Sequence, residues 1–407
     1  MDGTPCVRVL QRHAQQCRKY LQAQGFLDLR FCMQKHSNGT VSLPIIPSCL
    51  PRLDLESLQN KVACGGRCEV VRIKAPQLSK RERRISSSDK LVIVLQDLLE
   101  SHGERWTEDL REDIHHSYQR HGDLVLLGEN MFSLPVWIKI GPDLWPTVAQ
   151  ALGAERLAKI GRIYKDGFRT PVVTMLVGND SWVSHVDNKI RYEFDVIRCM
   201  FSAGNITEKL RVASFNCATE TVVDLYAGIG YFTLPYLVHA RASHVHACEW
   251  NPDAVKALQR NLDINGVSHR CTVHYGDNRQ LPLCDLADRV NLGLIPSSED
   301  GWPVACRLLR KTTGGVLHVH QNVTLPPLHP VGEKVEVNGG GPDQVSPKRS
   351  DREAWSVWAQ GTAVRIASLL QDINGGPWTT DIKHIEHVKS YAPHIHHVVL
   401  DLECRPL

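Results

Sequence analysis

Two glycines, three carboxylates and two amides stand where they could hold a nucleoside. Gly228 and Gly230 lie in Ala227-Gly-Ile-Gly-Tyr231, directly behind the apolar run Val222-Val-Asp-Leu225. Glycine has no Cβ, so a strand turning through such a loop into a helix brings backbone N–H groups close to a ligand. Asp224 stands just before that turn and joins the candidate binding residues. Glu249 follows some twenty residues on, the spacing at which a carboxylate accepts hydrogen bonds from both ribose hydroxyls. Asp277 and Asn278 come next, a carboxylate and an amide able to reach an exocyclic amine such as adenine N6. Asn291 opens Asn291-Leu-Gly-Leu-Ile-Pro-Ser-Ser298, at the usual border of a reacting centre. Singly, each has a plain reading: Glu249 caps a helix, Asp277 makes a turn, Asn291 is a structural amide. The G-x-G also lacks the third glycine of the dinucleotide fingerprint. Their common register, each at the end of an expected strand, is the specific feature and points to a nucleotide-type cofactor.

The elements that must position these residues alternate. Strands are expected at 222–226, 244–249, 271–275, 289–294 and 315–320, and helices at 231–240, 253–265, 302–309 and 353–371. Two last strands, 380–388 and 395–402, close the chain. This rhythm predicts an α/β fold, a doubly wound, mostly parallel, Rossmann-like sheet with an antiparallel edge. In such a sheet the ligand lies beyond the carboxyl ends of the strands, beside the first.

Three parts are expected. Residues 1–85 form a small N-terminal module, helical from Val9 to Gln24, with an Asn38-Gly39 turn before a strand. It ends in a basic window at 72–84, which suits either a solvated connector or contact with a nucleic-acid backbone. Residues 86–195 form an α/β module with antiparallel strands, and 196–407 the cofactor-binding part. The Pro/Gly-rich stretch 325–351 is expected to be a disordered insertion.

The bulk numbers leave room for a sizeable core, with 407 residues of which 42% are hydrophobic. A net charge of +3 permits a nucleic-acid partner without requiring one. The thirteen cysteines are scattered and odd in number, which favours a reducing compartment over a disulfide framework. Cys64 and Cys68 have no second ligand pair at zinc spacing, so no metal is expected. No apolar run reaches the ~18 residues of a membrane span, and Met1-Asp-Gly-Thr4 opens no signal segment. A cytoplasmic protein without membrane attachment is expected.

The pattern is that of class I S-adenosylmethionine-dependent transferases, and the resemblance goes further. Phe201-Ser-Ala-Gly-Asn-Ile-Thr-Glu-Lys-Leu-Arg211, Asp224-Leu-Tyr-Ala-Gly-Ile-Gly-Tyr-Phe232 and Tyr391-Ala-Pro-His-Ile-His-His-Val-Val-Leu400 resemble the family uniting tRNA guanine-N1 methyltransferases with wybutosine-synthesising enzymes. The likeness covers about 120–407. It implies S-adenosylmethionine as cofactor, the anticodon stem-loop of tRNA(Phe) as partner, tRNA contacts from 86–195, and a monomer. The methyltransferase branch carries an Asn-Pro-Pro type motif at the fourth strand, where this chain has Asn291 to Ser298. That departure resembles the aminocarboxypropyl-transferring branch. The implied reaction moves the 3-amino-3-carboxypropyl group to C7 of 4-demethylwyosine at position 37. A guanine-N1 methyltransferase and a tRNA-binding protein with a dead cofactor fold are the rivals; intact Gly228, Gly230, Glu249 and Asp277 argue against the second.

Under this resemblance Ser202 and Lys209 hold the amino-acid arm of the cofactor, with Arg211 a further candidate for cofactor or substrate phosphate. Asn205 and Glu208 read as a capping box. The cofactor-binding set is therefore Ser202, Lys209, Asp224, Gly228, Glu249, Asp277 and Asn278. No general base is identifiable. His318, His320, His394, His396 and His397, on expected strands, read as structural.

Overall fold

The computed structural model describes residues 3–36, 38–62, 66–74, 76–77, 79, 87–114, 118–164, 166–324, 349–392 and 394–407. The 80–84 end of the basic window and nearly all of the 325–351 insertion lie outside these residues. The chain forms two compact units, Met1–Trp106 and Thr107–Leu407.

The first unit is built on an antiparallel sheet in the spatial order Gln34–Lys35, Thr40–Pro44, Thr4–Leu10, Glu69–Ile73. The expected helix from Val9 does not start there. Val7 and Val9 are buried on either side of Arg8, a period of two that places them in the first strand. The helix begins at Ala14, after a short 3₁₀ turn, and buries Ala14, Cys17 and Leu21 against that strand pair's core.

The second unit carries three sheets. The smallest is the hairpin Trp182–Asp187 and Ile190–Asp195. Its turn residues Asn188 and Lys189 both have positive φ, matching the right-handed twist of the strands. A four-stranded sheet precedes it, in the order Gln119–His121, Leu124–Gly128, Arg156–Ile163, Pro171–Val177. Its central pair is parallel, where antiparallel strands were expected. The helices Val136–Ile140 and Leu144–Leu152 form the crossover that a parallel pair requires.

The third sheet has seven strands. In chain order its elements follow the helix α1 (Ile206–Ala213). They are β1 (Thr221–Asp224), α2 (Thr233–Val238), β2 (His244–Glu249), α3 (Pro252–Ile264), β3 (Cys271–Tyr275) and β4 (Arg289–Leu292). Then come α4 (Trp302–Leu308), β5 (Gly315–Thr324), α5 (Arg349–Asn374), β6 (Trp378–Ala392) and β7 (Ile395–Pro406). The spatial order is β3-β2-β1-β4-β5-β7-β6. The first five are parallel; β7 runs antiparallel between β5 and β6. The doubly wound sheet with an antiparallel edge is as expected.

Both faces of this sheet are covered. Val222 packs with Leu234, Leu237 and Leu258 of α2 and α3, while its neighbour Val223 packs with Ala305, Ile366 and Leu370 of α4 and α5. Each fully buried aliphatic side chain contributes roughly 1.5–3 kcal/mol. α3 starts at Asn251, whose side chain accepts from the Asp253 N–H at 3.0 Å, and it is stopped by Gly266 at φ 69°. Because β1 has β2 on one side and β4 on the other, the chain changes winding direction beside β1. A crevice opens there, beyond the strand ends.

No helix among the described residues is long and apolar enough to cross a membrane.

Candidate cofactor and substrate site

Loops leaving the carboxyl ends of β1, β2, β3 and β4 enclose a cavity of about 620 Å³. The segment 199–205 and the end of β6 complete its wall.

The β1 loop is shaped by its glycines. Gly228 has φ 57° and Gly230 φ 104°, both strained for a residue with a side chain. A Cβ on Gly228 would fall into the Tyr231 ring, and one on Gly230 would meet Leu234 and Leu258 at 3.1 Å. Tyr231 then ties the loop to 199–205 by donating its hydroxyl to the Met200 carbonyl.

Glu249 ends β2 and lines the cavity. Its Oε2 accepts from the Gly228 N–H at 2.7 Å, and its Oε1 from the N–H groups of Trp250 and Asn251 at 2.9 and 2.8 Å. Burial raises its pKa above the ordinary glutamate value; the three N–H groups work against that shift. The carboxylate therefore braces the glycine loop while keeping lone pairs for ribose hydroxyls.

Asp277 and Asn278 end β3 and also line the cavity. Asp277 is bidentate with Arg279, at 3.0 and 2.7 Å, which holds its pKa low. The Asn278 amide donates to the Leu225 carbonyl at 2.7 Å, leaving its oxygen for a ligand amine. Ser202 lines the opposite wall, and its hydroxyl caps no helix.

Four expectations need correction. Asp224 does not reach the cavity. It is fully buried beneath the loop, with Oδ1 accepting from Asn291 Nδ2 at 2.9 Å and Oδ2 from the Thr233 hydroxyl at 2.7 Å. It joins β1, β4 and α2, so it positions the site without touching its ligand. Lys209 lies behind the wall, not in it. Its Nζ pairs with Asp187 Oδ2 at 3.0 Å and is ringed by Phe201, Tyr192 and Tyr231 at 4.7, 5.4 and 5.8 Å. Burial lowers its pKa and Asp187 opposes the shift. Phe201 and Tyr231 are themselves wall residues, so Lys209 and Asp187 support the cavity from outside. Asn205 and Glu208 form no capping box: the Asn205 side chain caps nothing, and Glu208 turns to Arg211 at 2.7 Å. Arg211 also bonds Asp401, which removes it from the cavity.

Among the histidines, His318 and His320 are bonded inside the fold. His318 donates from Nδ1 to Asp401 Oδ1 at 2.6 Å, and Arg289 donates to its Nε2 at 2.8 Å. His320 and His397 meet at 3.1 Å, and His397 alone of these reaches the cavity wall. Burial pushes the His397 pKa down to about 4.

Sequence reasoning missed the rim. Phe168, Trp250 and Tyr391 surround the mouth, each about half exposed, and Phe168 meets Trp250 edge-to-face at 5.9 Å. Arg169 lines the same mouth and donates to the Ile295 carbonyl in the β4 loop. Lys389, on β6, enters the wall beside Gly204. These residues come from regions far apart in the chain, so no local spacing announces them. Among the described residues, no three His, Cys, Asp or Glu side chains could hold a metal ion.

Comparison with known proteins places this arrangement. The TRM5/TYW2 methyltransferase domain matches residues 183–330, and the TYW2 N-terminal domain matches 7–82 and 95–181. The tRNA wybutosine-synthesizing protein 2 homolog of Danio rerio is 62% identical over 409 residues, covering 100% of both chains. That of Homo sapiens is 51% identical over 415 residues, covering 96% of this chain and 92% of its own. The crystal structure of Pyrococcus horikoshii TYW2 in complex with MeSAdo shares the fold, with a TM-score of 0.56 and 24% identity over 76% of this chain and 99% of that one. The seven-stranded sheet is thus the class I, Rossmann-like fold of S-adenosylmethionine-dependent transferases. With such identity along its whole length, the chain belongs to the TRM5/TYW2 family, among the tRNA wybutosine-synthesizing protein 2 homologues.

Proposed function

We propose that the chain transfers the 3-amino-3-carboxypropyl group of S-adenosylmethionine to C7 of 4-demethylwyosine at position 37 of tRNA(Phe), a step of wybutosine synthesis. One observation carries the choice of group. The amide of Asn291, at the strand end where the methyltransferase branch has its Asn-Pro-Pro type motif, is turned into the core onto Asp224. The wall beyond it is the largely apolar run Gly293 to Ile295. No polar clamp for a methyl-side acceptor is offered there.

When bound, S-adenosylmethionine supplies an electrophilic Cγ, and methylthioadenosine is what remains after the S–Cγ bond breaks with its electron pair on sulfur. The protein's task is positioning. Glu249 accepts from the ribose hydroxyls, and Asp277 with Asn278 meets the adenine amine. Gly228 lets backbone approach the nucleoside, and Ser202 faces the amino-acid arm. Lys209, through Asp187, keeps Phe201 and Tyr231 in place. At the mouth, Phe168, Trp250 and Tyr391 offer ring faces to an unstacked base, and Arg169 offers a cation to its phosphate. The C7 proton leaves to water once the new C–C bond forms.

The anticodon stem-loop is the docking element in this reading, with residues 86–195 as the contact region. A monomer suffices, because a single chain's residues close the cavity. The free cysteines suit the reducing cytoplasm.

Two tritiated donors test the proposal with tRNA(Phe) carrying 4-demethylwyosine. Label from the carboxypropyl carbons should enter the tRNA. Label from the methyl group entering instead would assign the chain to methyl transfer.

A further inference from the structure

Besides His397, whose buried Nδ1 has no partner, the cavity wall holds an acceptor and a cation that the residues above do not satisfy. Asn205 stands at the head of α1, yet its side chain accepts no hydrogen bond from the helix. Its Oδ1 is buried and has no partner. Buried acceptors are almost always satisfied, so an orphan facing a cavity marks a place for a donor. Glu208, the residue that would share a cap with it, is committed to Arg211.

Lys389 reaches the same part of the cavity from β6. No carboxylate among the described residues pairs with it, and burial alone shifts its ammonium, downward. The Tyr391 ring faces its Nζ at 4.4 Å, which fixes the ammonium without neutralising it. Its Nζ lies so close to Gly204 that a Cβ there would collide with it. Gly204, Asn205 and Ser202 all line the cavity with Lys389. An unpaired cation and an unpaired acceptor thus share one wall. Of the other cavity carboxylates, Glu249 is engaged by backbone N–H groups and Asp277 by Arg279, and Asp300 acts on the same Arg279.

We propose that Lys389 and Asn205 form a clamp for an amino-acid zwitterion, with Lys389 Nζ donating to the α-carboxylate and Asn205 Oδ1 accepting from the α-ammonium of the donor's transferable arm. This rests on the proposed function and deepens it. Clamping both ends of the arm fixes the rotation of the sulfonium and therefore which carbon faces the base. A tRNA phosphate would account for Lys389 alone. It carries no proton for Asn205 Oδ1, whereas an α-ammonium does.

Titration calorimetry with two ligands isolates the clamp. S-adenosylmethionine carries the arm and 5′-methylthioadenosine lacks it. Lys389→Met and Asn205→Ala should each weaken S-adenosylmethionine roughly 10- to 100-fold, the range of a charge-assisted hydrogen bond, and move methylthioadenosine by less than about twofold. Retained methylthioadenosine binding shows that the variant is folded. Gly204→Ala, whose backbone conformation tolerates a side chain, displaces the ammonium without removing it and should give the same selective loss. Equal losses for both ligands would overturn the clamp, because they mean a collapsed wall. Unchanged S-adenosylmethionine affinity with weaker tRNA binding would overturn it in favour of a phosphate contact. If the unsubstituted protein binds neither ligand, the proposed function falls, and the clamp with it.

Discussion

Two polar clusters in the cofactor-binding domain treat charge in opposite ways. Between α1 and the sheet, Arg211 donates to Glu208 at 2.7 and 2.8 Å and to Asp401 at 3.0 Å, while His318 and Arg289 extend the chain of bonds. Every charge there is answered by another. In the cavity wall, Asn205 Oδ1, one turn before Glu208, and Lys389 Nζ, from β6, have no answer from the described residues. Burial costs a polar group free energy unless it is paired. The first cluster meets that cost within the chain and so fixes the fold. The second leaves it unmet and is arranged to be satisfied by a ligand. Lys209 belongs with the first kind, despite its place in the sequence beside the second.

The contrast can be broken by substitution. Arg211→Ala strands the buried carboxylate of Glu208, leaves Asp401 with His318 alone, and should cost about 3–5 kcal/mol of stability, read as a shift in the urea midpoint. A loss under about 1 kcal/mol would show that the cluster is not structural. Lys209→Met strands Asp187 and should destabilise by roughly 3 kcal/mol. Affinities for S-adenosylmethionine and methylthioadenosine should then fall together as Phe201 and Tyr231 lose support. Selective loss of S-adenosylmethionine would return Lys209 to direct contact with the arm. Glu249→Ala should weaken both ligands by about 1.5–3 kcal/mol, since both carry the ribose; an unchanged affinity would refute the ribose role.

The smallest effect is a pH dependence. Burial raises the Glu249 pKa, so on acidification this carboxylate takes up its proton before an ordinary glutamate does. A protonated carboxyl accepts fewer hydrogen bonds. Affinity for methylthioadenosine should therefore hold near neutrality and decline as pH falls, beginning above the usual glutamate range near ~4.3. Glu249→Gln should flatten the decline; an unaltered profile would assign it to another group.

The cofactor loop was legible because its signals are local. Gly228, Gly230, Glu249, Asp277 and Asn278 each stand at the end of a strand that the apolar pattern announces, and the parallel alternation sets those ends side by side. The wall formed by 199–205 was legible only in part. Ser202 lines the cavity, but the partners that decide the others lie far off in the chain. Lys209 is taken by Asp187 on a hairpin, and Glu208 loses its capping role to an Arg211–Asp401 pair that closes 190 residues of chain. Lys389 arrives from β6, on the antiparallel edge, with nothing near it in sequence to signal a cavity. The strand at Thr4–Leu10 was hidden for a similar reason: a period of two over seven residues is short beside the helix that follows.

The most direct measurement identifies the spent donor. Chromatography of the small-molecule products, after reaction with 4-demethylwyosine-containing tRNA(Phe), should show methylthioadenosine in step with modified tRNA. S-adenosylhomocysteine in its place would contradict aminocarboxypropyl transfer and the clamp that orients it.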